Sequence, residues 1–288
     1  MTGDLTIVII NYKSLAVIED CLATLGSSFP LVIIDNASQD GSLPILQQKY
    51  PDATFILNDN NEGFGTAINQ GMEKVETEFV MLLNPDALID SKTVGRLLDV
   101  ARQDPVAGIV APYLFSPNRG LELTIMGPHE TNHGLTDVTP EGDFCTWFAT
   151  AAVWLIRASA LREIGGFDEN IFVYAEDLDI CRRLTIAGYS IIVVPDAQGT
   201  HLVSYATKHT ASLRWRKEWN IVWGHLYLIK KFENAAAARR AAWRLIARHG
   251  PKVPFYLLVL DAKRFMRDLA VISGAASYLL GRKPRRAR

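Results

Sequence analysis

Four short runs of aliphatic and β-branched residues alternate with helix-like segments in the first ninety positions, and that alternation leaves few folds open. The runs are Thr6 to Asn11, Leu31 to Ile34, Thr54 to Leu57 and Phe79 to Leu83. Between them, Leu15, Ile18, Leu22 and Leu25 fall on one face, which predicts a helix over Leu15 to Leu25 with Ser14 as its N-cap. Further helices are expected over Ser42 to Lys49, Thr66 to Lys74 and Ser91 to Arg102. Strand and helix in regular turn predict βαβ units: an α/β, Rossmann-like architecture with a mainly parallel sheet and flanking helices.

Polar residues end these strands. Asn11-Tyr12 follows the first, Asp35-Asn36 the second and Asn84-Pro85-Asp86 the fourth. In an open parallel sheet the ligand crevice lies outside the carboxyl ends of the strands, so these groups converge on one edge. Each alone is equally a turn former or a helix cap; together they suit a nucleotide. Asp35 is placed to accept a base N–H or a ribose hydroxyl, Tyr12 to stack on a ring, and the loop Asn61 to Gly65, with Gly63, to approach a ligand closely. Asp86 is placed to meet a metal ion and its phosphates. Neither G-x-G-x-x-G nor G-x-x-x-x-G-K-[ST] occurs, which argues against a dinucleotide oxidoreductase or a P-loop enzyme.

Farther on, Ile109 to Phe115 reads as a strand, Ser116 to Asp143 as a long irregular insertion, and Trp147 to Arg157 as an apolar strand-like run. A short helix over Ser159 to Ile164 closes at Gly165-Gly166, a longer one covers Glu176 to Ala187, and a last strand, Ile191 to Val194, precedes Pro195 with His201 beyond. The cluster Glu176-Asp177-Leu178-Asp179 has two explanations. Acids favour a helix N-terminus, and Asp179 can pair with Arg182 or Arg183; alternatively one of them is a general base toward an acceptor hydroxyl. Adjacent carboxylates raise one another's pKa, which keeps such a base useful near neutrality.

Cys21, Cys145 and Cys181 are odd in number and far apart, as reduced thiols are, and no signal peptide precedes the first strand; both predict a cytoplasmic compartment. Charge splits the chain. Residues 1–207 carry 11 Lys+Arg against 27 Asp+Glu, and residues 208–288 carry 19 against 4. Two domains are expected at that boundary. The basic part mixes Trp215, Trp219 and Trp223 with Arg214, Arg216 and Lys217 at helical spacing, and none of its apolar runs reaches the ~18 residues of a membrane span. It reads as amphipathic helices in peripheral contact with an anionic inner leaflet, or as a helical cap on the catalytic domain. Its large apolar faces argue against nucleic acid as the partner.

The ordered motifs Val8-Ile9-Ile10-Asn11-Tyr12, Ile34-Asp35-Asn36-Ala37-Ser38-Gln39-Asp40-Gly41-Ser42, Asn61-Glu62-Gly63-Phe64-Gly65 with Asn69 and Gly71, Leu83-Asn84-Pro85-Asp86, and Gly165-Gly166-Phe167-Asp168-Glu169 running on to Glu176-Asp177-Leu178-Asp179 resemble a family 2 glycosyltransferase of the GT-A fold. Within that family the likeness is to the bacterial rhamnosyltransferase-like group, over about residues 5 to 205. The resemblance implies an inverting transfer of a sugar, L-rhamnose from dTDP-rhamnose, to a hydroxyl of a lipid-linked saccharide in cell-surface polysaccharide assembly. A UDP-hexose or UDP-galactofuranose donor, or a nucleotide-sugar-binding protein without turnover, are the alternatives. It implies Asp177 as catalytic base beside Glu176, a donor site of Asn11, Tyr12, Asp35, Asn36, Asn61, Gly63, Asn69, Asn84 and Asp86, and a Mg2+ or Mn2+ ion held by Asp86 and His201. Asn84 stands where the family's metal motif has its first acid, and Ala149-Thr150-Ala151-Ala152 where glycine is common. The sequence leaves open a homo-oligomer.

Overall fold

The computed structural model describes residues 3–26, 29–117, 120–122, 124–125, 133–134, 140–202 and 210–284. The chain divides into two compact units, one of residues 1–167 and 177–207, the other of residues 168–176 and 208–287. Twelve strands occur among the described residues: β1 (Leu5–Asn11), β2 (Leu31–Asp35), β3 (Thr54–Leu57), β4 (Phe79–Leu83), β5 (Ala87–Leu88), β6 (Ala107–Ser116), β7 (Gly120–Leu121), β8 (Thr124–Ile125), β9 (His133–Gly134), β10 (Phe144–Thr146), β11 (Val153–Arg157) and β12 (Ser190–His201). The helices of the first part are α1 (Ile18–Leu25), α2 (Ser42–Lys49), α3 (Phe64–Met72), α4 (Ser91–Gln103), α5 (Ala158–Glu163) and α6 (Glu176–Ile186).

The main sheet has the order β10-β12-β6-β11-β4-β1-β2-β3. β3, β2, β1 and β4 run parallel, as the strand-helix alternation predicts; β11 is antiparallel to β4 and β6, and β12 is parallel to β6. Side chains of a strand alternate between its faces. Ile7, Ile9, Ile33 and Met81 therefore bury against α1, α2 and α4, while Val8, Val32, Ile34 and Leu82 bury on the other face with α3, α5 and α6. Each such side chain stabilises the fold by about 1.5–3 kcal/mol. Gly71 of α3 sets one close approach, because a Cβ there would lie 2.8 Å from Val8 Cγ1.

Three local expectations change. The helix after β1 starts at Ile18, because Ser14 is not its cap: the Ser14 hydroxyl donates to Asn11 Oδ1 at 2.5 Å, and its carbonyl accepts from Val17 and Ile18. Of the run Trp147 to Arg157 only Val153–Arg157 is strand, since those residues alone pair with β4. The last strand does not stop before Pro195; β12 continues to His201, and an irregularity between Val194 and Gln198 accommodates the proline, which has no N–H to give. Much of the insertion expected over 116–143 lies outside the described residues.

The second unit holds α7 (Ala211–Phe232), α8 (Ala235–His249), α9 (Lys252–Leu258) and α10 (Ala262–Leu279). Its core is Val222, Leu226, Ala242, Val271 and Ala275. Thr210, Asn234 and Asp261 cap α7, α8 and α10 through their side chains. Gly274 permits a close helix crossing, as a Cβ there would stand 2.9 Å from the Trp219 carbonyl. Among the described residues no helix is long and apolar enough to cross a membrane.

Candidate active site

The site is built from strand ends. Asn11 and Asp35 are register partners at the carboxyl termini of β1 and β2. Asn11 is fully buried, and its amide donates to Asp35 Oδ1 at 2.6 Å and Ser42 Oγ at 2.7 Å. Asp35, 6% exposed, also accepts from the Ser38 backbone N–H at 3.3 Å. Asn11 is thereby the brace that aims Asp35, with its own oxygen taken by Ser14. Asp40 closes the network, accepting from Leu15 and Ser42 backbone N–H groups. Burial would raise its pKa, and the hydrogen bonds from Ser42 and Leu15 outweigh that and lower it. Half-buried Tyr12 follows Asn11, with the Lys13 ammonium 5.4 Å from its ring centroid.

Asn36 organises the next loop. Its amide donates to Asn61 Oδ1 and to the Gly63 carbonyl, both at 3.1 Å, and its oxygen accepts from Asn58 and from the Glu62 N–H. Gly63 adopts φ +90, the left-handed side that glycine tolerates best. Asn69 serves another segment. Its oxygen accepts from the Phe167 N–H at 2.8 Å and its amide donates to the Phe167 carbonyl at 2.9 Å. It clamps the Gly165-Gly166-Phe167 turn, so its amide is committed to shaping the site.

β4 leads into Asn84-Pro85-Asp86. The turn is held by the Asn84 N–H on the Ala152 carbonyl and by the Leu202 N–H on the Asp86 carbonyl. His201, at the end of β12 and paired in register with Ala87, brings its Nε2 to 3.5 Å from Asp86 Oδ1. Its Nδ1 lies 2.7 Å from Glu122 Oε2. Burial would lower the imidazole pKa, but the carboxylates of Asp86 and Glu122 outweigh it and raise it.

Asp177 and Asp179 separate in role. Asp179 is buried and ion-paired with Arg183, which also donates to the carbonyls of Ile164 and Gly166, so this pair ties α6 to the glycine turn. Asp177 is half-buried and accepts from the Leu178 N–H at 2.9 Å. Burial raises its pKa from 3.8 to about 6, against the lowering pull of that hydrogen bond. One turn on, the Cys181 thiol contacts the Ala149 carbonyl at 3.9 Å, which sets the start of α6 beside the segment entering β11. Because β11 runs antiparallel to β4, that segment lies at the same sheet edge as Asp86. Glu176, the first residue of α6, is half-buried.

Residues 6–165 match the family described as Glycosyl transferase family 2. The chain belongs to this family. It is a glycosyltransferase acting on a nucleotide sugar. Its relatives include the N-acetylglucosaminyl-diphospho-decaprenol L-rhamnosyltransferase of Mycobacterium tuberculosis (strain ATCC 25618 / H37Rv), 27% identical over 242 residues that make up 72% of this chain and 78% of the relative. The poly-beta-1,6-N-acetyl-D-glucosamine synthase of Staphylococcus aureus (strain COL) is 23% identical over 82% of this chain and 58% of its own length. Among solved structures, the mannosyltransferase PcManGT from Pyrobaculum calidifontis in complex with GDP-Man and Mn2+ has a TM-score of 0.58 at 17% identity, covering 97% of this chain and 88% of that one. S. aureus TarS 1-349 in complex with UDP has a TM-score of 0.57 at 15% identity, covering 98% and 93%. The sheet with its flanking helices is the GT-A fold, extended by C-terminal helices.

The PcManGT structure holds Mn2+. Among the described residues no three His, Cys, Asp or Glu side chains group as a metal cage. Asp86 and His201 nevertheless fit a partial site: a carboxylate oxygen and an imidazole nitrogen 3.5 Å apart can share one coordination sphere. Few protein ligands suffice when substrate phosphates supply the others. Glu122 was missed in the sequence because it lies in an insertion without periodic signal. Asn58 was missed although it directly follows the end of β3, where the logic that singled out Asn11 and Asp35 applies.

Proposed function

We propose that this glycosyltransferase moves a hexosyl group, L-rhamnose from dTDP-rhamnose, with inversion, onto a hydroxyl of a lipid-linked saccharide during cell-surface polysaccharide assembly. The observation that carries the reaction class is Asp177: a carboxyl raised to about 6 by burial, at the strand-end edge shared by Asp86, is suited to take a proton near neutral pH. The mycobacterial rhamnosyltransferase, matched over 72% of this chain, supports L-rhamnose as the sugar and a lipid-linked acceptor.

In the proposed displacement Asp177 accepts the acceptor hydroxyl proton while that oxygen bonds to the anomeric carbon. The bond from that carbon to the diphosphate breaks on the opposite face, and its electron pair leaves with the nucleoside diphosphate. One displacement inverts the centre. Asp35, braced by Asn11, takes the base or ribose; Tyr12, Asn61, Gly63 and Asn84 line the donor, with Asn36 holding the Asn61–Gly63 loop in place, and Glu176 flanks the base. Asp86 and His201 would hold Mg2+ or Mn2+, and such an ion supplies charge neutralisation at the departing diphosphate. The C-terminal region, with 19 Lys+Arg against 4 Asp+Glu in residues 208–288, contacts the anionic inner face of the cytoplasmic membrane, where a lipid-linked acceptor is reached.

The test is a panel of dTDP- and UDP-sugars incubated with the protein, with and without Mn2+, reading release of the nucleoside diphosphate. Release from dTDP-rhamnose is expected; turnover with UDP-sugars alone would sink the donor assignment.

A further inference from the structure

α9 is apolar in sequence, Lys252-Val253-Pro254-Phe255-Tyr256-Leu257-Leu258, yet it buries none of its residues. The apolar run continues past its end. Leu257, Leu258, Val259 and Leu260 are consecutive and all exposed, Leu258 at 82% and Leu260 at 87%. Leu260 adopts φ +54, a left-handed position that favours glycine. The turn is nonetheless fixed: the Asp261 N–H donates to the Tyr256 carbonyl at 3.0 Å, and the Asp261 side chain caps α10 through the Arg264 N–H. A leucine held outward at such a position contributes nothing to the core of its own unit.

A cleft of about 640 Å³ begins at the next residue, between α7 and the start of α10, within the same unit. Arg214, Lys217, Lys263, Arg264 and Arg267 line it, with Glu218 and Asp261 as the acidic members. Arg264 lies 3.5 Å from Asp261, and Arg267 is paired with Asp268. Among the described residues, neither Arg214 nor Lys263 is in an ion pair. An exposed apolar apex rimmed by cations matches one surface chemistry: leucines at the acyl boundary, and guanidinium and ammonium groups at the level of lipid phosphates. A second copy of this chain would set one cationic rim against another. Nucleic acid would leave the leucines in water.

We propose that the α9–α10 apex, Phe255 to Leu260, inserts into an anionic bilayer while the adjoining cleft seats lipid headgroup phosphates through Arg214 and Lys263. This rests on the reading that the C-terminal region meets an anionic membrane, and it names the element that does so. The apex is exposed and lies outside the core of its unit, so its substitution leaves the fold intact.

The experiment is flotation of the full chain with phosphatidylcholine vesicles, with and without phosphatidylglycerol. It compares the parent with Leu258→Ser/Leu260→Ser and with Arg214→Gln/Lys263→Gln, using circular dichroism and donor turnover as controls. The parent floats with phosphatidylglycerol vesicles. The leucine pair loses about a hundredfold in partitioning, roughly tenfold for each side chain withdrawn from the acyl boundary. The cation pair loses about twenty-five-fold, near fivefold for each charge. A parent that binds and a leucine variant that binds equally well overturn the apex while leaving the membrane reading standing. A parent that binds neither vesicle removes the membrane reading and the apex with it. A changed oligomeric state in the leucine variant with unchanged flotation assigns this face to a second copy and also overturns the proposal.

Discussion

Replacing Asp177 by Asn separates the catalytic role proposed for it from its structural one, because the two effects have opposite signs. Burial raises the folded-state pKa from 3.8 to about 6, so the fold disfavours the ionised form. At 1.36 kcal/mol per pKa unit the rise corresponds to about 3 kcal/mol, and partial solvent access reduces this to roughly 1–2 kcal/mol. The sign follows from linkage. A carboxyl whose folded pKa is raised leaves stability intact below the unfolded value near 3.8, erodes it as pH rises to about 6, and costs a constant amount above that. Asp177→Asn keeps the oxygen that accepts from Leu178 and never ionises. It is therefore expected to be more stable than the parent by about 1–2 kcal/mol at pH 7.5, with the gain vanishing near pH 4. Transfer falls by a factor of about 100 to 10,000, while donor affinity changes little. Parent kcat/KM rises about tenfold per pH unit below 6 and flattens above it, since the base acts only when ionised. Urea titrations at several pH values, donor binding by calorimetry and a pH-rate profile measure all of this. A variant that is less stable at pH 7.5 and fully active would refute the reasoning.

Two further perturbations act through side-chain hydrogen bonds. Asp168 accepts from Lys231 at 2.6 Å, Tyr227 at 2.9 Å and Asn170; burial would raise its pKa, and these partners outweigh burial and lower it from 3.8 to about 2. Its stabilisation is thus present above about pH 4 and lost as pH falls through 2, so Asp168→Asn is expected to cost about 2 kcal/mol at pH 7 in chemical denaturation, with the gap to the parent closing in acid. Asn69→Ala strands the N–H and carbonyl of Phe167, at about 2 kcal/mol, and a thermal melt indistinguishable from the parent would contradict the clamp assigned to it.

The parallel half of the sheet was legible because β-branched runs with polar ends leave little choice of secondary structure: β3, β4 and α2 begin and end where the pattern puts them. The antiparallel half was harder to read. β12 passes through a proline, and only its pairing with β6 across an irregularity makes it one strand. The same holds within the site. Asp35 and Asp86 announce themselves by their strand-end positions, whereas the roles of Asn11 and Asn69 depend on partners far along the chain, 24 and 98 residues away. The division of labour between Asp177 and Asp179 is likewise a matter of burial and of Arg183, and neighbouring carboxylates in sequence carry no mark of it.

Tyr174 and Ala175, immediately before α6, both have left-handed backbones, at φ +65 and +76. L-residues adopt that region at a cost of roughly 1–2 kcal/mol each, so a free segment would hold both so only rarely. Inside the second unit the pair packs on α7, where Gly224 is so close that a Cβ would stand 3.0 Å from the Tyr174 carbonyl, and Asp168, six residues before Tyr174, bonds Tyr227 and Lys231 of the same helix. A chain cut after residue 207 would keep Asp177 and the side chains proposed above to bind the donor, yet lose the three α7 contacts made to Asp168, Tyr174 and Ala175. The left-handed pair thus takes its support from residues that follow it in the chain by about fifty positions.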